Sequence, residues 1–326
     1  MGFPFPTISA FGAVTSYTAF YPNYHGVYTE NWNFNIQQGV GDQAMVQVGY
    51  IGNRGLHLSA SRNINRLIAG TANRPYPAFG NITVPTNDTV SSYNAMQASF
   101  RRRFHHGLTF NVNYTRAHTL DEGGVAFGSG AQDDTNYRAE YGNADYDVRH
   151  NLEFDYTYQL PAAPMLPGWL GRGWQVNGIT QMRSGLSVNV TCGCDSALIG
   201  TASARPNLVP GVPLQPSGVD IPGNQFNIAA FAKPPNGSFG NVGRNILKGP
   251  SAYNFDFSLF KDFKVREHQA VQFRAEMFNI FNTPQFGNPG ANLSAPNNFG
   301  KSLGTISTPA GFGTNRQVQF AVRYSF

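Results

Sequence analysis

Strict alternation of apolar and polar side chains marks the last eleven residues of the chain, 316–326 (RQVQFAVRYSF). In an extended strand, Val318, Phe320, Val322, Tyr324 and Phe326 would lie on one side and the polar residues on the other. Soluble edge strands usually carry charge or proline to prevent further pairing. A transmembrane barrel strand of about 9–11 residues instead has an apolar outer side, a polar inner side and aromatic residues at the interface. The segment therefore predicts a transmembrane β-strand.

Eight further segments show alternation with the same period. They are 27–38, 44–52, 93–104, 107–117, 148–159, 173–183, 253–261 and 269–280. The alternation is weakest around Gly178, so the register of that strand is the least certain. Together the segments predict an all-β chain of about nine antiparallel strands.

The connections between these strands alternate strictly between short and long. Short connections such as 262–268 would lie at one end of the sheet, and long polar stretches such as 53–92, 118–147 and 184–252 at the other. Outer-membrane barrels sort their connections in this way, into short periplasmic turns and long extracellular loops. We therefore predict an antiparallel transmembrane β-barrel segment with its C-terminus in the periplasm.

The predicted segment forms a single partial barrel domain, 1–326. Residues 1–26 would be the remnant of an extracellular loop, and 27–326 would supply the strands and loops. Nine strands alone leave two edges that lipid does not tolerate. We therefore expect the chain to be an open half-barrel or a closed barrel of reduced diameter, and to be the C-terminal portion of a longer protein, because its first residues do not resemble a signal peptide.

Composition agrees with a membrane β-protein. Only 13% of the residues are charged and 13% are aromatic, and Gly and Pro number 36 and 21. No apolar run reaches the length of a transmembrane helix. The net charge of +5 comes from scattered residues, with 101–104 (RRRF) as the one cluster, so we expect no nucleic-acid partner.

Few residues suggest chemistry. We expect no enzyme activity, no catalytic residue and no cofactor, because the histidines are dispersed and no hydrolase, zinc-protease or phosphate-binding motif is present. Cys192 and Cys194 have a spacing that is poor for zinc, and they would form a loop pair that an oxidising compartment could link as a disulfide.

An acidic loop within 118–147 is a candidate Ca²⁺ site, because that ion prefers several oxygen ligands. Its carboxylates lack regular calcium-loop spacing, so we favour a solvated loop paired in part with Arg138 and Arg149, and no metal site. The carboxylates are Asp121, Glu122, Asp133, Asp134, Glu140, Asp145 and Asp147.

The last three strands supply the candidate site residues. The polar residues that we expect to face the lumen are Asp256, Arg274, Glu276, Gln319 and Arg323. Opposite charges on neighbouring strands can pair, so we predict a ladder of Asp256 with Arg274 and of Glu276 with Arg323. Structural packing is the favoured role of this ladder, and direct contact with a solute is the alternative.

Aromatic residues would occupy two settings. Residues near strand ends would form the interfacial girdles of a membrane barrel: Tyr114, Tyr156, Tyr158, Trp174, Tyr324 and Phe326. Residues in the loops would pack there or, alternatively, stack on a ligand such as a sugar: Tyr76, Phe79, Phe231 and Phe239.

Several longer segments carry a family resemblance. They are YIGNRGLHL with SRNIN (50–65), RPYPAFGNI (74–82), YNAMQASFRRRF with GLTFNVNYTRA (93–117), RAEYGNADYDVRH (138–150), RPNLV (205–209), FGNVGRNILKGP (239–250), FDFSLFKDF (255–263), FRAEMFNIFNTPQFGNP (273–289) and the terminal strand. In order and spacing, the chain resembles the C-terminal barrel portion of Oar-like TonB-dependent outer-membrane receptors.

This resemblance implies a location in the cell outer membrane and a barrel of about 22 strands. It implies outer-membrane lipid as a partner, together with an unknown solute. The N-terminal barrel and plug, absent from this chain, would link it to TonB. The outer-membrane assembly machinery would recognise the terminal strand, with Tyr324 and Phe326 as the interface aromatics and Phe326 as the insertion signal.

Three functions are therefore considered. The first is the C-terminal part of a TonB-dependent receptor that binds a solute at the cell surface for energised import. The second is a structural or adhesive outer-membrane β-barrel protein. The third is a secreted β-sandwich that binds carbohydrate.

Overall fold

A computed structural model describes residues 15–19, 25–123, 131–266, 269–306 and 315–326. Nine long strands follow one another through the main sheet, each hydrogen-bonded to the next along the chain. They are β1 (Tyr28–Val40), β2 (Ala44–Asn63), β3 (Ile82–His105), β4 (Leu108–Asp121), β5 (His150–Gln159), β6 (Trp174–Arg183), β7 (Ala252–Arg266), β8 (Gln269–Phe278) and β9 (Gln317–Ser325).

All eight pairings between consecutive long strands are antiparallel. Two two-residue strands extend this sheet to eleven strands in total: Tyr17–Thr18 lies parallel to β3, and Gly142–Asn143 pairs with the outer end of β4. The prediction of about nine antiparallel strands is confirmed, because period-two alternation is a local signal that survives tertiary context.

Strands β2 and β3 are longer than their sequence pattern indicated. The segment 53–92 was expected to be a loop, but β2 continues to Asn63 and β3 begins at Ile82. Register shifts between Gly55 and Leu58 and between Leu58 and Ala60 interrupt the pairing, so the outer halves show no clean alternation in sequence.

The short connections lie together at one end of the sheet. Residues 41–43 join β1 to β2, and His106 with Gly107 joins β3 to β4. Both residues of the second turn have positive φ, 48° and 82°, which is the backbone of the two-residue turn that matches strand twist. The turn between β7 and β8 is shorter than predicted, because β7 ends at Arg266 and β8 begins at Gln269. Only 267–268 remain between them, and these lie outside the described residues.

The long connections pack together at the opposite end and contain the apolar core. We call residues 131–149, 184–251 and 279–306 the outer loop assembly. Its core consists of Val188, Val190, Phe226, Ala230, Phe231, Val242, Leu247 and Phe299. A disulfide joins Cys192 to Cys194 within it.

Short elements organise this assembly. Two small antiparallel pairs form, Asn207–Leu208 with Phe231–Ala232 and Ser187–Val188 with Leu247–Lys248. Turns of 3₁₀-helix cover Tyr137–Glu140, Ile228–Ala230 and Pro296–Asn298. One α-helical turn, Gly168–Gly171, lies at the other end of the sheet, between β5 and β6.

No helix in the described part of the chain is long and apolar enough to cross a membrane.

The sheet has two free edges. Among the described residues, β1 pairs only with β2 and β9 only with β8, and every residue of both edge strands is exposed. The chain is therefore an incomplete barrel with short periplasmic turns and long extracellular loops, as the alternation and the loop lengths predicted.

Candidate functional site

One face of the sheet is polar, and hydrogen bonds link several of its side chains. Gln319 lies opposite Glu276, which lies opposite Ser258, and the row continues through Asn177 to Thr157. Thr157 Oγ1 donates to Asn177 Oδ1 at 2.9 Å, and Gln319 donates to Glu276. This row places small hydrogen-bonding groups across five strands, the surface expected of a polar lumen.

The five residues predicted to face the lumen lie on this same face. Side chains two positions apart in a strand lie on the same face. Asp256 therefore shares a face with Ser258, and Gln272 and Arg274 share a face with Glu276. Arg323 lies opposite Gln272, and Gln319 opposite Glu276.

The predicted charge ladder is nevertheless wrong. The turn after β7 lies further along the chain than predicted, so Phe260 rather than Asp256 lies opposite Arg274. Asp256 instead accepts hydrogen bonds from the Asn279 amide and the Asn254 side chain, at 2.8 and 3.0 Å.

The two arginines of the predicted ladder have other partners. Arg274 lies over the ring of Phe260 at 4.7 Å and donates to Gln272 at 2.6 Å. Arg323 lies opposite Gln272 instead of Glu276. Glu276 accepts a hydrogen bond from the side-chain amide of Gln319, where a guanidinium of Arg323 was expected.

The opposite face of the sheet is apolar. Val318, Phe320, Val322 and Tyr324 alternate along β9 with the polar residues, and the ring of Phe320 stacks on Phe273 at 5.9 Å. The Tyr324 and Phe326 rings lie 5.8 Å apart at the periplasmic end, and Phe326 is 92% exposed. This is the arrangement that an interfacial aromatic pair requires.

Buried ion pairs fasten the outer loop assembly to the sheet. Glu140, fully buried, pairs with Arg205, whose Nε also donates to the Val242 carbonyl at 2.7 Å. Arg244 pairs with Asp121 at the end of β4, and its Nε donates to the Glu140 carbonyl at 2.9 Å. Burial lowers the pKa of Arg244 from its ordinary value to about 10, so the guanidinium stays charged at neutral pH.

Asp147 is the centre of a second cluster. Its carboxylate is fully buried and accepts from Lys248 Nζ at 2.7 Å, Arg149 Nε at 2.8 Å and the Thr119 amide at 2.8 Å. Burial alone would raise the pKa of Asp147, but the hydrogen bonds from Lys248, Thr119 and Arg149 outweigh it and hold the pKa below its ordinary 3.8. This cluster ties the 131–149 loop to the Leu247–Lys248 strand.

The acidic loop is therefore largely neutralised by arginine and lysine. The predicted pairing with Arg149 is confirmed. The prediction of a solvated loop is wrong, because Asp121, Glu140 and Asp147 are buried. The sequence did not indicate their partners Arg244, Arg205 and Lys248. Asp133 and Asp134 both pair with Arg66, at 2.7 and 2.9 Å. Within the described ranges, no group of three or more histidine, cysteine or acidic residues is arranged to hold a metal ion.

Loop aromatics contribute to packing in two of the four predicted places. Phe231 is buried against Phe299, with ring centroids 5.8 Å apart, and Phe79 makes an edge contact with Tyr17 at 5.7 Å. Tyr76 is 53% exposed.

A polar cleft opens between the outer loop assembly and the polar face of the sheet. Its volume is about 480 Å³. Tyr146 and Val148 of the loop form one wall, and alternate residues of β3 to β6 form the floor: Tyr93, Gln97, Thr115, Ala117, Thr119, Asn151, Glu153, Gln181 and Arg183. Amides, hydroxyls, one carboxylate and one guanidinium can hydrogen-bond a polar solute of either charge.

Sequence reasoning did not find this cleft. Its floor residues are the polar members of strands that were correctly predicted, so their shared face was available from the alternation. The position of Tyr146 depends on the ion pairs of Asp147 with Lys248 and of Asp145 with Arg244, which join residues about 100 positions apart in sequence. No local pattern identifies such partners.

Comparison with known proteins assigns the fold. No curated protein matches the sequence significantly. Among solved structures, the outer membrane transporter YddB from Escherichia coli aligns with 94% of this chain at a TM-score of 0.50 and 9% identity. The pyoverdine receptor FpvA of Pseudomonas aeruginosa aligns with 92% at 0.46 and 12%, and the copper transporter OprC with 93% at 0.43 and 12%.

This chain spans 34%, 30% and 32% of those three chains, about a third of each. The YddB likeness establishes the fold, and the predicted resemblance is confirmed at the level of an outer-membrane barrel. The family model described as an outer membrane beta barrel domain matches residues 1–319. The chain belongs to the outer-membrane β-barrel domain family and is located in the cell outer membrane.

Proposed function

We propose that this chain is the C-terminal part of a TonB-dependent outer-membrane receptor, which binds a solute at the cell surface for energised import. In this proposal, 1–326 is one partial barrel domain, and strands and a plug outside this chain complete it. The observation that carries it is the polar cleft between the loop assembly and the polar face, which opens on the path from the cell surface into the lumen.

The structure of the outer loop assembly supports a binding role. A binding surface gains affinity when its loops are ordered before the ligand arrives. Here an apolar core and the buried pairs of Glu140 with Arg205 and Arg244 with Asp121 order the loops without a ligand. Asp256, Arg274, Glu276, Gln319 and Arg323 would then face the lumen and contact the plug.

The experiment compares solute uptake by wild-type cells and a strain lacking the gene. Both strains grow in defined medium, and mass spectrometry of the medium follows which solutes disappear, with and without a protonophore. We expect at least one solute to be depleted only by the energised wild type, with depletion restored by the complementing gene. Equal depletion by both strains would contradict the proposal.

The adhesive alternative has a separate outcome in the same strains. If depletion is unchanged and attachment of cells to a surface is lost on deletion, the loop assembly functions in adhesion.

A further inference from the structure

The connection between β5 and β6 is unlike the other described connections at the periplasmic end. Residues 41–43 and 106–107 are tight turns, whereas residues 160–173 (LPAAPMLPGWLGRG) contain three prolines and a helical turn, Gly168–Gly171. We call residues 160–173 the inner connector.

The inner connector exposes large apolar side chains to its surroundings. Met165 is 95% exposed, Trp169 67% and Leu166 47%. Such side chains grouped on one short segment, away from the apolar core in the outer loops, mark an interaction surface.

This surface continues the apolar face of the sheet. The Leu160 amide donates to the Trp174 carbonyl at 2.9 Å, which aligns the start of the connector with β6. Trp174 lies opposite Lys261, level with Phe273 and Val322 on the face that the membrane covers. Trp174 Nε1 also donates to the Leu170 carbonyl at 2.7 Å, so the helical turn is fixed to that face.

Positively charged side chains lie near the inner connector. A cleft of about 500 Å³ beneath the connector is lined by Trp169, Arg172, Trp174 and Lys264. Its one carboxylate, Asp262, accepts a hydrogen bond from Gln272 at 2.9 Å.

A third cation lies beside this cleft. Lys261 is buried against the rings of Trp174 and Phe263, 5.3 and 4.9 Å from their centroids, and donates to the Arg172 carbonyl. Arg172 is exposed and can meet an anion. Lys264, two positions from Asp262 and opposite Ala270, lies instead on the polar face with Gln272.

We propose that the inner connector and the inner end of β7 form a binding site for an anionic phospholipid of the periplasmic leaflet. Trp169, Met165 and Leu166 insert at the boundary of headgroups and acyl chains, where tryptophan is enriched. Arg172 contacts the headgroup phosphate. The continuity with the membrane-covered face and the excess of positive charge select a lipid over a periplasmic protein. The site depends on the outer-membrane location and is independent of any transported solute.

The experiment uses the protein as its gene encodes it, purified from outer membranes and placed in lipid nanodiscs. The discs contain phosphatidylcholine with increasing fractions of phosphatidylglycerol brominated on its acyl chains, which quenches nearby tryptophan. Subtracting the emission of Trp169→Phe from that of the wild type isolates the signal of Trp169. We expect this signal to be quenched by the brominated lipid and protected from the water-soluble quencher acrylamide.

Charge reversal tests the headgroup contact. The fraction of brominated phosphatidylglycerol that gives half-maximal quenching should rise at least fivefold for Arg172→Glu, because loss of one cation near an anionic surface alone has about that effect. Lys264→Glu, on the polar face, should leave this fraction unchanged. Lys233→Glu, an exposed lysine at the outer end, is the matched control and should leave the titration unchanged. Heat-shifted mobility on gels verifies that each variant is folded.

Two results would overturn the proposal. If acrylamide quenches Trp169 and brominated lipid does not, Trp169 does not contact lipid. A periplasmic protein that cross-links at Trp169 would then be the binding partner instead. Equal quenching by brominated phosphatidylcholine and brominated phosphatidylglycerol, unaffected by charge reversal, would show that the site does not select an anionic headgroup.

Discussion

Replacing Glu140 by glutamine should loosen the outer loop assembly, because the ion pair of Glu140 with Arg205 joins its 131–149 and 184–251 segments. The substitution keeps the size and one acceptor oxygen of the side chain but removes its charge. Arg205 then remains in a buried position, with 3% of its side chain exposed, without its carboxylate partner. The Gln132 amide, which donates to Glu140 Oε1 at 3.1 Å, can still bond to the new amide oxygen.

The expected magnitude follows from that burial. Breaking a buried ion pair by removing one partner costs about 3–5 kcal/mol, because the other charge stays uncompensated. Arg205 keeps its bond to the Val242 carbonyl, so we take the lower value, about 3 kcal/mol. The loops open locally, since the strands do not depend on this pair, and the opening constant should rise about two orders of magnitude.

Amide hydrogen exchange of the protein in nanodiscs measures this opening. Peptides covering 131–149 and 204–209 should exchange about a hundredfold faster in Glu140→Gln, whereas β7 and β8 should be unchanged. Glu30→Gln, which removes an exposed carboxylate from β1, is the control. Loop exchange within threefold of wild type would refute the view that this pair orders the assembly.

Other substitutions test further parts of the account. Because the pKa of Asp147 lies below 3.8, its ion pairs stabilise the loops above that pH, and this contribution is lost as pH falls through the folded pKa; loop proteolysis should therefore increase below about pH 4. Burial raises the pKa of Glu122 above 4.5, so Glu122→Gln should slow loop exchange at pH 7 and have no effect below pH 4.5. A Cβ at Gly240 would lie 1.9 Å from the Arg205 carbonyl oxygen, so Gly240→Ala should lower the amount of protease-resistant loop, whereas Gly304→Ala, with open space around it, should not. Deleting Phe326 should lower the amount of folded protein in outer membranes on immunoblots, and unchanged amounts would refute its role as an assembly signal.

The strands were predictable because their information is local. Alternation in 107–117 or 253–261 reports a two-sided environment without knowledge of any partner strand. The outer halves of β2 and β3 escaped detection because register shifts near Leu58 break the alternation.

Pairing between distant residues was not predictable in the same way. The Asp256–Arg274 prediction failed because the turn occupies 267–268 instead of 262–268, which places Phe260 rather than Asp256 opposite Arg274. Glu140 and Arg205 are 65 residues apart, and neither segment carries a pattern that identifies the other. The face of a residue thus follows from alternation, whereas its partner depends on turn length and loop packing.

The two faces of β8 give the most direct test of the membrane barrel, because β8 is paired on both sides. Single cysteines at 271 to 276 carry nitroxide spin labels in the membrane-embedded protein, and Cys192 and Cys194 are blocked by their disulfide. Collision with oxygen reports lipid, and collision with a water-soluble nickel chelate reports water. The account predicts alternation with a period of two, in which Val271, Phe273 and Ala275 favour oxygen and Gln272, Arg274 and Glu276 favour nickel. Uniform accessibility, or alternation in the opposite phase, would contradict it.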